Sequence, residues 1–106
     1  MQVVVVKQAQ RELDDAPKSV LEDVFALFED LAAGKHLSLP ISRPLPSGAK
    51  GLHELRLSFE GGEFRVFYVI RTKDAIYVIH AAQKKTQALD KRTKELLKLR
   101  IQRLGL

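Results

Sequence analysis

The stretch that decides the fold is Leu52-His-Glu-Leu-Arg-Leu-Ser-Phe59. Leu55, Leu57 and Phe59 fall on one parity, and Glu54, Arg56 and Ser58 on the other. This two-residue period predicts a strand with one apolar and one polar side. Glu60-Gly61-Gly62-Glu63 follows as a hairpin turn with two residues free to take positive φ. Phe64–Arg71 and Ala75–Ala82 read as two further strands, with Thr72-Lys73-Asp74 as the turn between them. Three strands in a row joined by tight turns predict an antiparallel meander.

Toward the N-terminus, Val3–Val6 is a short β-branched run that reads as a first strand. Gln8–Leu13 fits one or two helical turns. Asp15 is placed to cap the element that follows, and Pro17 suits a first helical turn because its missing N–H costs nothing there. From Pro17 to Ala33, Val20, Leu21, Val24, Phe25, Phe28, Leu31 and Ala32 recur at three- and four-residue steps, predicting an amphipathic helix closed by Gly34. Lys35–Gly51, with Pro40, Pro44 and Pro46, reads as an extended connector. Leu89–Leu104 reads as a C-terminal helix whose apolar positions mix two spacings. The order β-α-(α)-β-β-β-α defines one α+β domain over residues 1–106. Its small, mostly antiparallel sheet consists of the N-terminal strand and the meander, with the helices against one sheet face.

The chain has 106 residues, 45% of them hydrophobic, which suits a single core. It has no cysteine, so disulfides, thiolate nucleophiles and cysteine metal sites are excluded, and a reducing cytoplasm is the expected location. Neither a signal peptide nor an apolar run of about 20 residues is visible, so no membrane partner is expected. The net charge is +5, and its placement matters more than its size. From Lys84 onward eight basic residues stand against only Asp90 and Glu95, whereas the preceding part is nearly balanced, ten against eleven. Such polarity fits a polyanionic partner on one side, or a solvated basic helix face.

Most catalytic classes fall on spacing. His36, His53 and His80 lie in separate segments with no metal-binding spacing, so no metal is expected. The serines lack a nucleophile elbow, and Gly61-Gly62 opens no helix that would cradle phosphate. Cations with aromatic neighbours remain. Arg56 lies on the polar side of its strand. Arg65 sits between Phe64 and Val66, where a lone charge is costly. It implies either an ion pair with Glu54 or Glu63 across the ladder or a ligand, and Lys84 and Lys85 at the end of a neighbouring strand favour the ligand. His53, Tyr68 and His80 offer stacking or proton transfer, although each alone reads as structural. Gln83, Lys91 and Arg92 extend the polar and cationic surface. Such a set suits RNA cleavage through the ribose 2′-hydroxyl, which needs a base, cations around the phosphate and an acid for the 5′-oxygen. Arginine stabilises charge but cannot act as a base, whereas a lysine among other cations has a disfavoured charged form.

Gly51-Leu-His-Glu-Leu-Arg56, Phe64-Arg-Val-Phe-Tyr68 and His80-Ala-Ala-Gln-Lys-Lys-Thr86, in this order, resemble the HigB-like branch of the RelE/ParE toxin superfamily, including its phage-derived members. The Leu39-Pro40…Arg43-Pro44-Leu45 connector is also similar, and the resemblance covers nearly the whole chain. It implies a type II toxin that acts as a metal-independent endoribonuclease on messenger RNA, usually on the ribosome, and inhibits translation. It implies no cofactor. The partner it implies is a DNA-binding antitoxin of helix-turn-helix type, with operator DNA reached only through the complex. Carried over by position, Arg56 and Arg65 grip the phosphate, Lys84 or Lys85 is base or transition-state stabiliser, and His80 supports. A ParE-like inhibitor of DNA gyrase and a catalytically silent nucleic-acid-binding module are the competing readings, since one fold hosts several functions.

Overall fold

The computed structural model describes residues 1–45, 50–70, 74–84 and 89–105, with Lys84 described by its backbone alone. The elements are β1 (Gln2–Val5), α1 (Lys7–Asp14), α2 (Lys18–Ala32), β2 (Ser42–Pro44), β3 (Leu52–Phe59), β4 (Gly62–Ile70), β5 (Ala75–Lys84) and α3 (Lys91–Arg103). They build one sheet in the order β1-β5-β4-β3-β2, with β1 parallel to β5 and the other pairs antiparallel. The α+β meander is therefore as the alternation implied. The Thr72-Lys73 part of its second turn lies outside the described residues. The three-residue edge strand β2 is an addition, because a short run ending in Pro44 carries no readable period.

One expectation is overturned. The helices cover both faces of the sheet. On one face, Ala9 and Leu13 of α1 and Val20, Val24, Phe28 and Leu31 of α2 pack on Leu55, Leu57, Phe64, Val66, Tyr68, Ile76, Val78 and Ala81. On the other, Leu97 and Ile101 of α3 pack on Leu52, Phe67, Val69 and Ile79. The cause is legible in β4, where Val66, Phe67, Tyr68 and Val69 run apolar on both parities and are all buried. A strand buried on both sides needs a layer on each side.

Local chemistry sets the element ends. At the close of α2, Gly34 takes a φ of 83°, and the Lys35 N–H returns to the Asp30 carbonyl at 3.0 Å. That left-handed residue with its wrap-back bond is what a glycine stop provides. Asp15 does not cap α2, which has no side-chain cap bond; it ends α1 instead. Asp90 does cap α3, accepting from the Thr93 N–H at 2.7 Å. No described helix is long and apolar enough to cross a membrane.

Candidate nucleic-acid interface

The strand register lays out the α3 side of the sheet in rows. Arg43, Glu54, Phe67 and His80 are directly opposed across β2, β3, β4 and β5. The next row on that side is Arg56, Arg65 and Ala82, and the one after it Ser58, Glu63 and Lys84. α3 packs on Leu52, Phe67, Val69 and Ile79, so its strip includes Phe67 of the first row, and in the next two rows Arg56 and Glu63 keep 22% and 20% of their side chains exposed.

Two arginines directly opposed on neighbouring strands repel each other. Two glutamates, diagonal to them, resolve the conflict. Glu63 accepts from Arg65 Nε at 2.8 Å and from Arg56 Nε and Nη2 at 3.4 Å each. The fully buried Glu54 lies 3.3 Å from Arg43, 3.7 Å from Arg56 and 3.6 Å from Arg65. Burial pushes the Glu63 carboxyl up, but the hydrogen bonds and charges of Arg65 and Arg56 outweigh it and hold the group below its ordinary range. Glu63 is thus an anion at neutral pH, and the patch alternates in sign with a cationic excess.

Within the patch the two arginines differ. The Arg56 side chain is 22% exposed and that of Arg65 is 0% exposed. The ion pairs of Arg65 with Glu54 and Glu63 expected across the ladder are present, and its guanidinium lies on the α3 side of the sheet against these two carboxylates. Lys84, the last residue of β5, stands opposite Glu63 by register. Lys85 lies outside the described residues. Lys91 and Arg92 are exposed in the first turn of α3, a helix with no acid there. Cations at a helix N-terminus act against the macrodipole, so the helix gives up stability to hold them.

His80 is buried beside the row. Its ring stacks on Phe67 at 5.5 Å, and its Nδ1 lies 2.9 Å from Glu12 Oε1. Arg100 of α3 donates to the same Glu12 oxygen at 2.7 Å and to the Ile79 carbonyl at 2.9 Å. Glu12 also takes the Ala81 N–H at 3.3 Å. The register slips between Phe67 and Tyr68 at this place, and such a bulge leaves backbone groups without ladder partners. Glu12 and Arg100 supply those partners. Burial pushes the Glu12 carboxyl up, and the Arg100 and His80 bonds, the His80 charge and the Ala81 N–H together bring it below its ordinary range. Neither Glu12 nor Arg100 was singled out in the sequence, where each is one charge among many on a helix face.

Three further candidates face the other way. His53 and Tyr68 lie on the α1/α2 side, rings stacked at 5.2 Å, with Tyr68 fully buried and its hydroxyl 2.7 Å from Ser42 Oγ. Burial raises the Tyr68 hydroxyl, only partly offset by Ser42. Gln83 opposes Phe64 on that side too, and its amide donates to the Gly61 carbonyl at 3.0 Å. Strand parity accounts for the separation, since His53, Tyr68 and Gln83 stand an odd number of positions from Arg56, Arg65 and Lys84 on their strands and so face the other side of the sheet. His53, Tyr68 and Gln83 are therefore not brought together with the arginine patch.

The profile of the phage-derived Gp49-like protein family matches residues 11–102, and the chain belongs to that family. Its fold is the RelE-like one. The free Escherichia coli toxin RelE, as an arginine-to-alanine double mutant, superposes with a TM-score of 0.62 at 13% identity, over 97% of this chain and 96% of that one. The toxin-antitoxin complex RelBE2 of Mycobacterium tuberculosis gives 0.58 at 21% identity, over 80% and 92%. The intact E. coli RelBE toxin-antitoxin complex gives 0.59 at 13% identity, over 80% and 98%. No curated protein sequence gives a significant match.

Proposed function

We propose that this chain is the toxin of a toxin-antitoxin pair and an endoribonuclease that cuts messenger RNA held by the ribosome, in the cytoplasm. The observation that carries the proposal is the row Arg56–Arg65–Ala82, in which Arg56 is partly exposed, with Lys84 one row on. The RelE-like fold and the solved toxin-antitoxin complexes that share it support the toxin role and an antitoxin partner.

The chemistry needs only the chain, its substrate and solvent protons. The ribose 2′-hydroxyl gives up its proton and its oxygen attacks the adjacent phosphorus, while the bond to the 5′-oxygen breaks and that oxygen takes a proton from water, leaving a 2′,3′-cyclic phosphate and a 5′-hydroxyl. Arg56, partly exposed and steadied by Glu63, is assigned to the phosphate. Arg65 is assigned a positioning role through Glu63 and Glu54. Lys84 or Lys85 is assigned to the 2′-hydroxyl proton or to the crowded phosphate, and Lys91 and Arg92 to the flanking backbone. A cation preorganised as Arg56 is by Glu63 lowers the barrier because its orientation is already fixed by the fold.

Primer extension on a defined message, with and without translating ribosomes, tests the reading. Cuts at codon-spaced positions in the presence of ribosomes, lost in Arg56→Ala with an unchanged melting curve, are the expected result. Intact RNA from folded protein in both samples rejects the nuclease and directs attention to DNA gyrase supercoiling.

A further inference from the structure

The outer edge of β5 changes neighbours halfway along. From Ala75 to Val78 it is paired with β1, and the Val6 N–H closes that ladder on the Val78 carbonyl at 3.0 Å. The chain then turns into α1, and past the bulge the Ala81 N–H is met by Glu12 instead of a strand. An N–H that reaches Glu12 points away from β4. Backbone direction alternates along a strand, so the Ala81 carbonyl and both backbone groups of Gln83 point outward as well. No hydrogen bond among the described residues reaches these three groups from outside the β4–β5 ladder. They border a cleft of about 280 Å3 lined by Ala81, Ala82 and Gln83 and, across it, by Glu12, Asp15 and Pro17.

We infer that this cleft is a docking site for an extended segment of a partner polypeptide with basic side chains, which adds to β5 in line with β1. The backbone groups select the form of the ligand, because an outward carbonyl followed by an outward N–H and carbonyl is the complement of another strand. Asp15, exposed on the same wall, favours basic side chains, whereas the charge of Glu12 is already offset by Arg100. The row of backbone donors and acceptors is met by a peptide backbone and not by a sugar-phosphate one. From Ala81 to Gln83 the edge is roughly 10 Å long at 3.3 Å per residue, enough for three or four residues. The docked strand runs beside the end of β5 that carries Lys84. The site is independent of whether the chain cleaves RNA.

The test uses the isotope-labelled full chain and three end-blocked hexapeptides: alternating valine and lysine, the same with backbone N-methylation, and alternating valine and glutamate. The valine-lysine peptide is expected to shift the Gln83 amide signal saturably and to slow its hydrogen exchange about tenfold. The other two are expected to leave it unchanged. Asp15→Lys, on an exposed position that preserves the spectrum, is expected to weaken binding several-fold. Shifts confined to the acidic outer side of α2, equal binding of the glutamate peptide, or protection of Gln83 by hexauridylate would each overturn the inference. So would a Gln83 amide already protected in the free chain by self-association.

Discussion

Arg56 and Arg65 are neighbours across one strand pair, yet burial assigns them opposite consequences. Removing a fully buried member of an ion-pair network strands its partners, at a cost of about 3–5 kcal/mol. Arg65→Ala is therefore expected to lower the melting temperature strongly, because Glu54 and Glu63 lose a cation. Arg56→Ala, at a side chain that is 22% exposed, is expected to leave the fold intact. A melting curve for Arg65→Ala within 1 °C of the parent would show that Glu54 does not depend on it. Glu63 and Glu12 set the response to acid. Each is held below the ordinary carboxyl value of 4.5, so its stabilisation is complete above that value and is lost as pH falls through the lower folded one. Denaturation midpoints are expected to drop below about pH 4.5, and less steeply in Glu63→Gln. An identical acid limb in both proteins would remove Glu63 from the account.

At the scale of elements, the start of β3 depends on Gly51. Its φ is 81°, and a Cβ added there would collide with the Ile70 carbonyl oxygen at the end of β4. Gly51 also accepts from the Ile70 N–H at 2.9 Å and from His53 Nδ1 at 2.8 Å. Gly51→Ala is expected to destabilise by more than about 1 kcal/mol, since strain and collision add. Chemical denaturation measures it, and an unchanged midpoint would contradict the close approach of these backbones. The meander itself was legible because β3 alternates and its neighbours are bounded by turn residues. The second helical layer was less so. In α3 the apolar residues mix buried Leu97 and Ile101 with Leu99, which is 44% exposed, so their spacing alone did not identify a packed face.

Across the whole molecule, Glu12 and Arg100 join α1 to α3 around the part of the β5 edge that lies past β1. Arg100→Ala is expected to leave β3 and β4 amides as protected as before. It should also speed exchange in α3 around Leu97 and Ile101 about tenfold, as a local opening. A uniform change along the chain would instead mean that the pair supports global stability. The same long-range geometry divides the candidate site. Arg56, Arg65, His80 and the Lys84 backbone position share one side, while His53, Tyr68 and Gln83 lie on the other, an outcome of parity that motif order does not convey.

The sequence by itself determined the meander, the amphipathic α2 with its Gly34 stop, the basic C-terminal third and the arginine-bearing strands, because periodicity, turn residues and charge are local properties. Only the tertiary structure decided that Arg65 is buried between two glutamates, that α3 covers the opposite face from α1 and α2, and that Glu12 meets Arg100 at the β5 bulge. Those depend on register and on residues up to 88 positions apart, which local pattern does not encode.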